Sequence, residues 1–214
     1  MKKFTITFLL LVVITGIAFG WLQLTSSGKK FSSLYVTKVE KETTPLNTTL
    51  IKLHSKAVIA KSFVRDRDFN DNYCFLLDMS LPSGQNRFFV YDLQKDTISS
   101  SGLVTHGRCN EDWLKGRKYN NTVGGGCTSL GKYKIGYSYK GRFGLAFKLY
   151  GLDKTNDNAF KRYVVLHAHE CVPANEIEGE ICQSDGCPTV SPEYLEHLEK
   201  LIKKSSKPVL LWIF

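Results

Sequence analysis

The sequence has no internal repeat, no long low-complexity stretch and no cysteine pair spaced C-x-x-C. The first two absences exclude solenoid arrays, collagen and simple disorder, and the third removes the tight knuckle on which most small zinc sites are built. No second long apolar run follows the one at the N-terminus, so the chain is not a multi-pass membrane protein. Acidic residues are also scarce, 20 against 29 Lys and Arg, which gives the 214-residue chain a formal charge of +9. That excess favours anionic surroundings: nucleic acid, anionic lipid or an acidic cell-wall polymer. With 43% hydrophobic residues, the chain has enough apolar side chain to bury an ordinary core.

After Lys2 and Lys3 the residues from Phe4 to Leu24 are uncharged, and Phe8 to Ile14 are wholly apolar. This is the n-region and h-region of an export signal. Ala18-Phe19-Gly20 is a small-x-small cleavage site, and the run is also just long enough to span a bilayer, so removal and retention as an anchor both stay open. No cysteine follows the run closely, which argues against a lipid-modified N-terminus. Residues 1–22 are therefore expected to be a signal peptide or membrane anchor, 23–45 a Ser/Thr/Lys-rich linker, and 46–214 one globular domain. Localisation outside the cytosol, in the periplasm or on the outer face of the membrane, makes disulfides permissible for the six cysteines. Cys109 with Cys127 and Cys171 with Cys182 are the expected pairs. Cys74, in the apolar run Tyr73 to Leu77, reads as a small buried thiol.

Leu46, Leu50, Leu53, Ala57 and Ala60 fall in steps of four and three, the period of an amphipathic helix. From Asn72 the period changes to two. Asn72 to Met79 and Asn86 to Leu93 read as strands around the turn Pro82-Ser83-Gly84, with Thr97 to His106 a third. Tyr133, Ile135, Tyr137 and Tyr139 alternate with polar or small residues, and Phe143, Leu145, Phe147 and Leu149 resume after Gly141-Arg142, which predicts a hairpin with one buried face. Aromatics beside lysines also suit nucleic acid, but period-two aromatics are usually a sheet core and no RNA-binding or helix-turn-helix signature is present. No nucleic-acid partner is therefore expected. Tyr163 to Leu166 is a short apolar strand delivering His167. Ser191-Pro192-Glu193 opens a helix with Leu195, Leu198 and Ile202 inward, and Val209 to Phe214 is a buried terminal strand. The pattern is mainly β, a β-rich α+β fold, with one helix before the strands and one after the second cysteine-containing loop.

The chemistry is concentrated in Leu166-His167-Ala168-His169-Glu170-Cys171 and Gln183-Ser184-Asp185-Gly186-Cys187-Pro188. A thiol becomes a useful nucleophile when an imidazole and backbone donors stand beside it, and a strand end plus a glycine turn can bring the two together. Gly186 permits a tight turn that aims amide groups at a developing oxyanion, and Pro188 stiffens the exit. Two rivals compete: a zinc site from His167, His169, Cys182 and Cys187, and a structural disulfide using Cys187. His106 is an accessory candidate, although a lone strand-end histidine is more often a hydrogen-bonded structural group.

Leu103-Val104-Thr105-His106-Gly107, Thr128 to Tyr133, Asn156 to Arg162, Val164 to Ala168 and Ser184-Asp185-Gly186-Cys187-Pro188, in that order, resemble the murein L,D-transpeptidase catalytic-domain family (YkuD-like) over about residues 46 to 214. The resemblance implies a bacterial, mixed β-sandwich catalytic domain that acts on peptidoglycan stem peptides without metal or other cofactor. It implies that Cys187 is the nucleophile and His167 its general base, that Gly186 and Cys187 N–H groups form the oxyanion hole with Asp185 as a further candidate, and that Ser184 supports the turn. His169, two residues from His167, could tune or replace it. The chain departs from the family at Gln183, where Arg is usual, and at Ala168, where Gly is common, which leaves the substrate contacts near Gln183 open. Cross-linking and trimming of stems both remain open, as does a noncatalytic wall-binding module on the same fold. The domain is expected to be a monomer.

Overall fold

A computed structural model describes residues 45–214; the expected signal peptide or anchor and nearly all of the expected linker lie outside the described residues. Helix α1, Pro45–Arg65, is followed by seven strands: β1 Tyr73–Leu77, β2 Phe88–Asp92, β3 Thr97–Gly102, β4 Gly131–Gly141, β5 Gly144–Gly151, β6 Val165–Ala168 and β7 Thr189–Val190. Helix α2, Pro192–Lys204, and strand β8, Leu210–Ile213, close the chain. The eight strands form one mixed sheet in the order β3-β2-β1-β8-β4-β5-β6-β7. Among the described residues the fold is mainly β with two helices at the expected places.

The terminal strand is central. β8 runs parallel to β1 and antiparallel to β4, and all four of its residues are buried, as an apolar run without polar alternation requires. Its alternate side chains divide between two cores. Leu211 and Ile213 join Phe75, Phe88, Phe147, Leu166 and, from α2, Leu195 and Leu198. Both arms of the sheet thus share one core around α2. Leu210 and Trp212 face the other side with Leu76, Tyr91 and the α1 residues Leu53, Ala57, Ala60 and Val64. α2 begins as its sequence dictates, with the Ser191 hydroxyl accepting the Tyr194 N–H and Pro192 at the first turn.

Three boundaries differ from expectation. β3 stops at Gly102, and Leu103 to Gly107 instead form a buried loop held by Arg87, whose Nε and Nη2 donate to the Val104 carbonyl at 2.8 and 2.7 Å. Only the inner half of the β4–β5 hairpin has a buried face. Its register shifts between Ile135 and Ser138, leaving Tyr137 exposed, and Phe143 is exposed in the turn between the two strands. The strand expected from Tyr163 begins at Val165, because Tyr163 takes a left-handed turn with φ 56° that ends the preceding loop. His167 is therefore inside β6, paired with Ala146 of β5 and Thr189 of β7.

Asn156 explains part of the Asn156 to Arg162 block. Fully buried, its side chain accepts from Asp153 N and donates to the Lys132 carbonyl, tying the loop to the start of β4. Both expected disulfides are present, Cys109–Cys127 and Cys171–Cys182. Among the described residues no helix is long and apolar enough to cross a membrane.

Candidate active site

Strands β6 and β7 run parallel with His167 opposite Thr189, and Cys187 lies two residues before Thr189 in the bend that leads into β7. Cys187 and Cys74 are the free cysteines among the described residues, and Cys187 is only partly buried. Cys187 and His167 line one cleft of about 450 Å³, with Thr105, Arg108, Phe143, His169 and Ser184 also in its walls.

The turn that presents Cys187 is held from several sides. The Cys187 carbonyl accepts from the hydroxyls of Ser184 at 2.7 Å and Thr105 at 3.2 Å. Gly186 has φ 104°, and a Cβ there would stand 2.6 Å from the Cys127 carbonyl oxygen, so glycine is required. That same carbonyl accepts from Arg162 Nη2, and Arg162 Nη1 donates to Ser129 Oγ at 2.9 Å and the Asn120 carbonyl at 3.0 Å. The disulfide-bonded Cys109–Cys127 loop and Arg162 thereby form the floor under the turn. The Gly186 N–H donates to Ser184 Oγ at 3.1 Å. Of the two amides expected in an oxyanion hole, the Cys187 N–H is the one without a protein partner among the described residues.

The thiol points toward the Tyr163 carbonyl, 3.9 Å from Sγ. Burial pushes its pKa up; the Val165 N–H and the positive charges of Arg162 and Lys148 oppose this, while Asp185 adds to it. The resting group is a thiol that needs a base. His167 suits that need: burial holds its pKa below 6.5, reinforced by nearby His169 and only partly offset by the Ala168 carbonyl. Its Nδ1 donates to that carbonyl at 3.0 Å, which fixes the tautomer and leaves Nε2 to accept. Thr189 Oγ1 lies 3.0 Å from Nε2. The Phe143 ring stacks on the imidazole at 4.8 Å between centroids and meets His169 edge-on at 5.8 Å.

The remaining sequence candidates are placed as follows. His169 is exposed at the cleft edge, where Nδ1 accepts from Cys171 N at 3.1 Å. Asp185 turns to Arg108, 2.8 Å from its Nε, so its carboxylate is engaged in an ion pair. His106 is buried behind the cleft against Arg87 Nη2 at 3.1 Å, and burial with Arg87 and Arg117 pushes its pKa down to about 4. Gln183 clamps the backbone of Leu114 by two bonds of 2.8 and 2.9 Å. Cys182 is committed to Cys171, which removes one ligand from the zinc alternative and one partner from the Cys187 disulfide alternative.

Sequence reasoning missed Phe143 and Thr189. Phe143 has the period of the hairpin core, but an aromatic directly after Gly141-Arg142 sits at the tip and is free to lie over a neighbouring strand. Thr189 follows from period two once the cysteine segment is paired with the histidine strand.

A sequence profile of the L,D-transpeptidase catalytic domain matches residues 43–212. No curated protein gives a match. Three solved structures are similar: an L,D-transpeptidase from Xylanimonas cellulosilytica DSM 15894 (12% identity, 67% of this chain and 60% of that one, TM-score 0.36); the Ldtfm–avibactam carbamoyl enzyme (12%, 68% and 49%, 0.40); and the helical cell shape determining protein Pgp2 of Campylobacter jejuni, in a mutant form (15%, 75% and 55%, 0.40). The chain spans between 49% and 60% of the length of these structures.

Proposed function

The chain belongs to the L,D-transpeptidase catalytic-domain family, and from that premise we propose that it is an exported cysteine acyltransferase acting on peptidoglycan stem peptides. The observation that carries this reading is a free, partly buried Cys187 sharing a cleft with a His167 whose tautomer is fixed for accepting a proton.

In the proposed reaction the Thr189 hydroxyl turns away from His167 Nε2 and the thiol from the Tyr163 carbonyl, and Nε2 takes the thiol proton. The sulfur attacks the carbonyl of the third stem residue, and the oxyanion is met by the Cys187 N–H. The C–N bond to the terminal residue breaks, and its amine leaves with the proton held by His167. The thioester is then resolved by the side-chain amine of a neighbouring stem, forming a cross-link, or by water, giving a trimmed stem. His169 and Ser184 are support groups in this scheme, and His106 acts only through the wall that Arg87 organises. The +9 charge suits a wall whose polymers carry carboxylates or phosphates.

The test is mass spectrometry of a disaccharide tetrapeptide incubated with the purified, reduced full chain. A cross-linked dimer or shortened tripeptide, absent with Cys187→Ala, is the expected result, and their ratio decides between transferase and carboxypeptidase. A folded chain that gives neither product yet sediments with cell wall would overturn the enzyme reading in favour of a wall-binding module.

A further inference from the structure

Beside the cleft, on the outer face of β4 and β5, four aromatic rings surround two lysines. Tyr150 and Phe160 stack at 5.3 Å between centroids, 11° from parallel. Lys148 Nζ sits 4.7 Å from the Tyr139 ring and 5.7 Å from both Phe160 and Tyr163, and Lys134 Nζ lies 5.0 Å from Tyr150. Neither lysine has a carboxylate partner among the described residues. Phe160 and Tyr163, each 5.7 Å from Lys148 Nζ, are 48% and 76% exposed.

Tyr163 adds an independent observation. It is a bulky residue held at φ 56°, a conformation that costs a side-chain-bearing residue and persists where the surroundings impose it. The same turn puts its ring in solvent and its carbonyl against the Cys187 sulfur. The aromatic face is therefore tied to the nucleophile through the Tyr163 backbone, although its rings lie outside the lining of the cleft.

From these features we infer that the face formed by Lys134, Tyr139, Lys148, Tyr150, Phe160 and Tyr163 is a binding surface for an acidic saccharide chain, the glycan strand whose stem enters the cleft. Flat exposed rings take the apolar faces of sugar rings, and the two unneutralised ammonium groups take the free carboxylates of neighbouring sugars that carry no stem, a stem-bearing sugar having its carboxyl in the amide to the stem. Aromatic rings and cations also fit single-stranded nucleic acid. The adjoining Cys187 selects the saccharide, so the inference rests on the proposed function.

The experiment is titration of the full chain with peptide-free glycan strands and with single-stranded DNA, alongside turnover of a sugar-free tetrapeptide. Phe160→Ala and Lys134→Gln, each checked by thermal melting, are expected to weaken glycan binding about tenfold, the equivalent of roughly 1.4 kcal/mol. Both should leave tetrapeptide turnover within about twofold. Tetrapeptide turnover without glycan binding by the unmodified chain would overturn the surface and leave the acyl-transfer reading intact. Glycan binding that both variants retain, or DNA bound more tightly than glycan, would also overturn it. Glycan binding lost in the variants, with no turnover by the unmodified chain, would support the surface and count against the acyltransferase.

Discussion

The two regions that hold unpaired thiols are built in opposite ways. Cys74 lies on β1 inside the core beneath α1, among Leu76, Tyr91 and Trp212, where burial alone pushes its pKa up to about 12. Cys187 is also shielded, but Arg162, Lys148 and the Val165 N–H favour its thiolate, and His167 shares its cleft. The residue type is the same and the apolar shielding is similar in kind; reactivity comes from the polar groups added around one sulfur and withheld from the other.

The strongest test of that contrast exchanges the roles. Cys187→Ala should reduce acyl transfer by at least about a thousandfold, since a nucleophile has no substitute. Cys74→Ala should keep activity within about twofold while costing roughly 1 kcal/mol of stability, seen as a melting temperature lower by about 2–4 °C. Comparable losses of activity in the two variants would abolish the distinction.

A middle-sized effect is expected from Arg162. Arg162→Gln removes the cation under the turn, so the Cys187 thiol should ionise at higher pH and its alkylation by iodoacetamide at pH 7.5 should slow by about tenfold. Arg162→Lys should restore part of the rate, and Cys74 should stay unlabelled until the chain is unfolded. Unchanged Cys187 labelling in a folded Arg162→Gln protein would mean that the guanidinium only braces Cys127 and Ser129.

The smallest effect concerns pH. Because burial holds His167 below 6.5, the base remains unprotonated into mildly acidic solution, and the acid limb of kcat/KM should fall below pH 6.5. His169 contributes to that depression, so His169→Ala should move the limb upward. A limb that moves down, or that stays above pH 6.5, would contradict the assignment of the base.

Much of the sheet was legible because period-two alternation and the wholly apolar Val209 to Phe214 leave few other placements. The disulfide partners followed from proximity in sequence. The cleft was less legible, since its walls are made by contacts between distant segments. The Leu103 to Gly107 loop looks like a strand by composition and is shaped instead by buried Arg87. Phe143 has the period of a core residue and leaves the core because it lies in the turn between β4 and β5, just before Gly144 with φ 78°. Likewise, Arg162 belonged to a conspicuous motif, but nothing local shows that its guanidinium reaches Cys127 thirty-five residues away.

The central claim is that Cys187 carries the acyl group. Its most direct test is intact-protein mass spectrometry of the full chain, quenched in acid seconds after mixing with disaccharide tetrapeptide. A hydroxylamine-sensitive adduct of the tripeptide acyl moiety, mapped to Cys187 and missing from Cys187→Ala, is the predicted result. Stem turnover that proceeds with no adduct at Cys187 and persists in Cys187→Ala would contradict it.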